Sequence, residues 1–125
     1  MTKSPMTNSP MKWLADVAEH DFEAAHNYLS LKLDDKRADD CVQRMRKAKL
    51  TQRRANDILR ATGLTPLPLS DPGVKRDLVK LLTGEKLSPI LVCDQADGAD
   101  IADGYHRVSL AYNIDPFMTV PLKIG

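Results

Sequence analysis

The chain has 125 residues, 42% of them hydrophobic, and a formal net charge of +1, which fits one domain with its own core and gives no general pull toward nucleic acid. No apolar run approaches the roughly 20 residues of a membrane span, and the Pro-, Ser- and Thr-rich start has no apolar signal core, so a cytoplasmic protein without a membrane partner is expected. Cys41 and Cys93 lie far apart without metal-type spacing and read as reduced, buried thiols, with no metal site indicated.

Residues 1–10 read as a tail too polar to pack. From Met11 the pattern turns helical, with Trp13, Leu14 and Val17 on one face; Asp21 is placed to cap a second helix carrying Phe22, Ala25, Tyr28, Leu29 and Leu33. A third helix is expected from the cap signals Asp34 and Asp35 toward Lys47, burying Ala38, Cys41, Val42 and Met45, with acids early and bases late. "TQRRANDILRATGL" predicts another, with Ala55, Ile58 and Leu59 inward and Gly63 as its stop. The prolines of "LTPLPLSDP" end helical character. Ser70 or Asp71 then caps a helix with Pro72 in its first turn and Val74, Leu78, Leu81 and Leu82 buried, up to Gly84. The remainder reads as strand "SPILVC", turn "DQADGAD", short strand "DIA", helix "YHRVSLAY" and closing strand "MTVPLKI". The expected architecture is α+β: a single domain over 11–125, in which a helical extension, 11–56, packs on a core, 57–125, built around a small mixed sheet.

The stretch "IADGYHRVSLAY" concentrates chemistry at a strand-to-helix junction. N–H groups at a helix start lack partners and carry the positive end of the helix dipole, so they attract anions. Gly104 permits close approach, Arg107 offers a planar fork of donors matched to phosphate, and His106 adds a donor that titrates near neutral pH. The plainer reading has Asp103 capping the helix, Gly104 supplying a positive φ and Arg107 pairing with a surface acid. Asp103 repels phosphate unless it caps, binds Mg2+ or takes a proton.

Strand, short strand, "DGYHR", helix and "VPLKI" together resemble the ParB/sulfiredoxin fold over residues 57–125. Sulfiredoxin carries Gly-Gly-Cys-His-Arg where this chain has Asp103, Gly104, Tyr105, His106 and Arg107, and its His and Arg hold nucleotide phosphate. Tyr105 replaces the cysteine, and a phenol cannot perform thiol chemistry, which argues against sulfinic acid reduction. The Asp-Gly-x-His-Arg form is closer to the turn of ParB-fold free-serine kinases and of short bacterial ParB-like proteins. That resemblance implies phosphoryl transfer from a nucleotide, ATP, ADP or CTP with Mg2+, and a glutamate base, for which Glu85 is the candidate by position. ParB itself binds CTP and carries a helix-turn-helix module after the turn, with no counterpart in these residues. The family also contacts phosphate from the helix before the central strand; Lys75, Arg76 and Lys80 occupy its counterpart here, and a sulfiredoxin serine falls on Asp77. Lys75 and Lys80 are therefore further candidate ligand contacts.

The run 44–54 holds six basic residues and no acid, and supports the alternative of a non-catalytic regulatory module that contacts protein or nucleic acid. It lacks interleaved aromatics, and its plain reading is a solvated face pairing with the acids of 16–40. His20 and His26 lack the spacing of a zinc helix. Trp13 and Tyr28 read as core anchors or, where exposed, as a homodimer surface.

Overall fold

The computed structural model describes residues 9–125, so nearly all of the expected tail lies outside the described residues. The elements run α1 (Glu19–Leu29), α2 (Asp35–Lys47), β1 (Thr51–Arg54), α3 (Ala55–Thr62), α4 (Pro72–Leu82), β2 (Ile90–Gln95), β3 (Gly98–Asp103), α5 (Tyr105–Ile114) and β4 (Thr119–Ile124). The four strands make one mixed sheet in the order β1-β4-β2-β3, with β2 and β4 parallel and both edge strands antiparallel to their neighbours. The fold is α+β, and among the described residues no helix is long and apolar enough to cross a membrane.

Local chemistry accounts for the helix ends. The Asp34 side chain accepts the Arg37 N–H at 2.8 Å to start α2, and Asp71 accepts from Gly73 and Val74 to start α4, with Pro72 at the position where a missing N–H costs nothing. Gly63 ends α3 in the left-handed region at φ 70°, as its sequence position predicts.

β2 is buried on both sides, and its alternation builds two cores. Ile90 and Val92 join Ala55, Ile58, Val74, Val108 and Leu122 beneath α3, α4 and α5. Leu91 and Cys93 join Phe22, Leu29, Val42 and Met45 beneath α1 and α2. The sheet is therefore a middle layer, and the helical extension covers one of its faces.

Leu82, expected on the buried face of α4, is 76% exposed at the helix end, and four further expectations need correction. Residues 11–17 form no helix: Leu14 N–H donates to Leu87 O and Leu87 N–H to Lys12 O, both at 2.8 Å, so a strand partner satisfies this backbone instead of a helical turn. α1 begins at Glu19, which puts Asp21 inside the helix rather than at its cap, and ends at Leu29, short of Leu33. Residues 51–54 are a strand rather than the start of a helix, because β4 offers a ladder from Thr51↔Leu122 to Arg54↔Thr119. The boundary expected at 56/57 thus falls inside α3, and the N-terminal part contributes an edge strand. Finally, Cys41 and Cys93 are not thiols but a disulfide joining α2 to β2, with Cα atoms 6.3 Å apart. Their 52-residue separation in sequence concealed the contact, which arises because α2 lies on the face that Cys93 lines.

Candidate functional site

The strand-to-helix turn owes its shape to a bulge. Along β3, Ile101 pairs with Val92, and strict alternation would set Asp103 on the same face as Ile101. The register shifts between Leu91 and Val92, so Asp103 instead lies opposite Leu91, on the face covered by α1 and α2. Gly104 follows as the α5 N-cap at φ 109°, and a Cβ there would come within 2.5 Å of Ile90 Cδ1, so only glycine fits. No side chain accepts the first-turn N–H groups of α5, and the cap expected from Asp103 is not made.

Asp103 turns instead to Arg107. One guanidinium nitrogen meets Asp103 Oδ2 at 2.6 Å; another meets Asp21 Oδ2 at 3.1 Å and donates to the Ser88 carbonyl. The Arg107 side chain is 12% exposed and its two carboxylate partners 9% and 19%. Arg107 was expected either to grip phosphate or to pair with a surface acid. Within the protein it clamps two acids that are largely shielded from solvent, Asp103 of β3 and Asp21 of α1. Asp21 was missed as a partner because it lies 86 residues away in sequence. The only hint was its place beside the buried stripe of Phe22, Ala25 and Leu29.

A cavity of about 300 Å³ opens in front of this clamp, lined among others by Asp21, Asp77, Lys80, Glu85, Lys86, Asp103, Gly104, His106 and Arg107. It brings together most of the residues singled out in the sequence. His106 lies so close over Gly73 of α4 that a Cβ there would displace the imidazole, and its Nε2 is 3.6 Å from Asp71 Oδ2. Lys80 lies 4.0 Å from Glu85. Two candidates fall elsewhere: the Tyr105 hydroxyl donates to the Thr65 carbonyl, and Lys75 does not line this cavity. Asp77, which follows Val74 by three residues and precedes Leu81 by four, is a carboxylate set within the apolar stripe of α4. That position was the available sign of its burial.

Burial raises the Asp77 carboxyl above the usual carboxylate range despite the nearby cations Arg107 and Lys80. Burial likewise pushes Asp103 up, to about 6; Arg107 opposes the shift and the Asp21 charge reinforces it. The folded protein therefore holds the Asp103 proton more tightly than the unfolded chain, whose value is near 3.8. The resulting stabilisation is complete below pH 3.8 and is lost as pH rises through about 6. We expect the Asp103 carboxyl carbon to titrate in NMR with a midpoint near 6, and stability to decline between pH 4 and 6 by an amount that Asp103→Asn reduces. A midpoint near 4 contradicts this.

Among the described residues no group of three His, Cys, Asp or Glu side chains comes together as a metal site. Asp21 and Asp103, the carboxylates nearest the turn, are both engaged by Arg107, so these residues make no ready set of donors for Mg2+.

The basic run is divided by the fold. Arg46 makes two hydrogen bonds to Glu19, at 2.9 and 2.6 Å, and lies 4.4 Å over the Phe22 ring. Arg53 donates to Thr51 and to the Gln52 carbonyl, and Arg54 stacks on Phe117. The Arg46 pair is the expected one between this run and the acids of 16–40. His20 is exposed beside Asp21, and His26 pairs with Asp39 at 2.7 Å. Trp13 packs against the main core, whereas Tyr28 is 38% exposed.

Compared with protein-family models, curated proteins and solved structures, the chain matches none of them.

Proposed function

We propose that the chain binds a phosphate-bearing small molecule at the turn Asp103–Arg107, as its resemblance to the ParB/sulfiredoxin fold implies, with nucleotides the first ligands to consider. The observation that carries this reading is the uncapped start of α5, which opens on the same cavity as His106 and Lys80. Amides at a helix start attract an anion through both unpaired N–H groups and the helix dipole. His106 and Lys80 add donors from two different helices. Arg107 serves as a positioning residue: its clamp on Asp103 fixes the end of β3, so the first turn of α5 starts from a rigid base. Phosphoryl transfer is the reaction open to such a ligand, and Glu85, the expected base, lines the same cavity.

Isothermal titration with ATP, ADP, CTP and inorganic phosphate tests the reading. Saturable binding is expected, weakened about ten-fold or more by His106→Ala or Lys80→Ala, the usual effect of losing a charged hydrogen bond. Absence of binding by all four at millimolar concentration ends the proposal. Arg107→Ala is unsuitable as a control, because it perturbs the fold as well as the site.

A further inference from the structure

One buried group in the cavity is left without a partner. Asp77 is 8% exposed and lines the cavity, yet among the described residues it forms neither a hydrogen bond nor an ion pair. Its neighbours are satisfied otherwise: Asp21 and Asp103 by Arg107, and Glu85 with Lys80 within ion-pair range. No buried side-chain oxygen or nitrogen among the described residues lacks both a partner and contact with open space, so the Asp77 carboxylate reaches the cavity itself. A carboxylate kept nine-tenths buried without a donor from the chain is costly, and such groups in folded proteins are met by water or by a ligand that replaces it.

The chemistry of that partner follows from the surroundings. An ionised carboxylate accepts hydrogen bonds and donates none, so the ligand group must carry N–H or O–H. Arg107 and Lys80 line the same cavity and, with His106 and Arg76, already supply positive charge near Asp77. Asp21, Glu85 and Asp103 are occupied by Arg107 and Lys80, which favours a neutral donor over a further cation there. A neutral hydroxyl meets both conditions. The cavity, about 300 Å³, lies at the small end of ligand sites and suits a compact molecule. Resting on the phosphate reading above, we propose that the ligand is a hydroxyl-bearing phosphate ester, a sugar or polyol phosphate, whose phosphate meets the start of α5 while Asp77 accepts its hydroxyl. Asp77 is then the residue that distinguishes such an ester from phosphate alone.

Two probes of equal chain length separate the roles: glycerol 3-phosphate, with hydroxyls, and propyl phosphate, without. Titration of the wild-type chain should show glycerol 3-phosphate binding about ten-fold or more tightly, the usual advantage of a hydrogen bond to a charged group. In Asp77→Leu the advantage should vanish while propyl phosphate binds at least as well as before; Asp77→Asn, which keeps a weaker acceptor, should fall between. No protein group depends on Asp77 for a hydrogen bond, so both variants are expected to fold, which amide NMR spectra check. Equal wild-type affinity for the two probes, or an advantage that survives in Asp77→Leu, overturns the role of Asp77 and leaves phosphate binding standing. Failure of both probes to bind overturns the sugar- or polyol-phosphate proposal, while the phosphate reading itself stands or falls with the nucleotide and phosphate titrations above.

Discussion

Arg107→Ala is expected to destabilise the protein by about 3–5 kcal/mol, the range found when one member of a buried ion pair is removed and its partner left uncompensated. The loss is large here because a single guanidinium serves two acids and a backbone carbonyl. Without it, Asp21 and Asp103 face each other in a largely buried site with no cation between them, and Ser88 loses its donor. Urea denaturation at neutral pH measures the effect. Acid should narrow the gap between variant and wild type, since protonation removes the repulsion that Arg107 otherwise offsets. Arg107→Met combined with Asp21→Asn and Asp103→Asn should recover much of the loss, because the uncompensated charges go with their partner. A loss of under about 1 kcal/mol for Arg107→Ala, as for an exposed pair, would mean that the guanidinium is not committed to the clamp and is free to meet a ligand.

The second large effect is expected from the disulfide. Reduction of Cys41–Cys93 should lower the free energy of unfolding by about 2–4 kcal/mol, because the bridge closes a loop of 52 residues and so restricts the unfolded chain. Both cysteines are fully buried, so reductant must wait for the fold to open, and the loss should develop slowly in native buffer and quickly in urea. Urea midpoints with and without reductant make the comparison, with the double variant Cys41→Ala, Cys93→Ala as the form that reductant leaves unchanged. Identical wild-type midpoints in the two conditions, or alkylation of both cysteines in unreduced, unfolded protein, would contradict the bridge. The bridge also removes the ground for reading these cysteines as a sign of a reducing compartment.

The two effects act on different parts of one arrangement. The disulfide ties α2 to β2, and the clamp ties α1 to β3 and α5, so the helical layer is held to the sheet at both central and edge strands. The cavity lies between the clamp and α4, and its walls come from α1, α4, α5 and the segment before β2. Any ligand entering it therefore meets a site held by elements that are distant in sequence.

Local sequence determined α2, α3, α4 and α5, since a cap such as Asp34 or Asp71, a stop such as Gly63 and an apolar stripe act within a few residues of one another. It also determined the turn Asp103–Gly104 and the two-faced strand β2, whose continuous apolar run requires cover on both sides. Only the tertiary structure decided that residues 12–14 and 51–54 are extended, because their hydrogen-bond partners, Leu87 and β4, are supplied by chain far downstream. The same holds for the chemistry of the site. Arg107 could have faced solvent until the bulge after Ile101 turned Asp103 toward α1, and Asp77 could have been a surface acid until α4 packed its stripe against α5. Periodicity and capping reveal which side chains point inward, but the partner that neutralises a buried charge is a matter of distance in space, which sequence separation does not record.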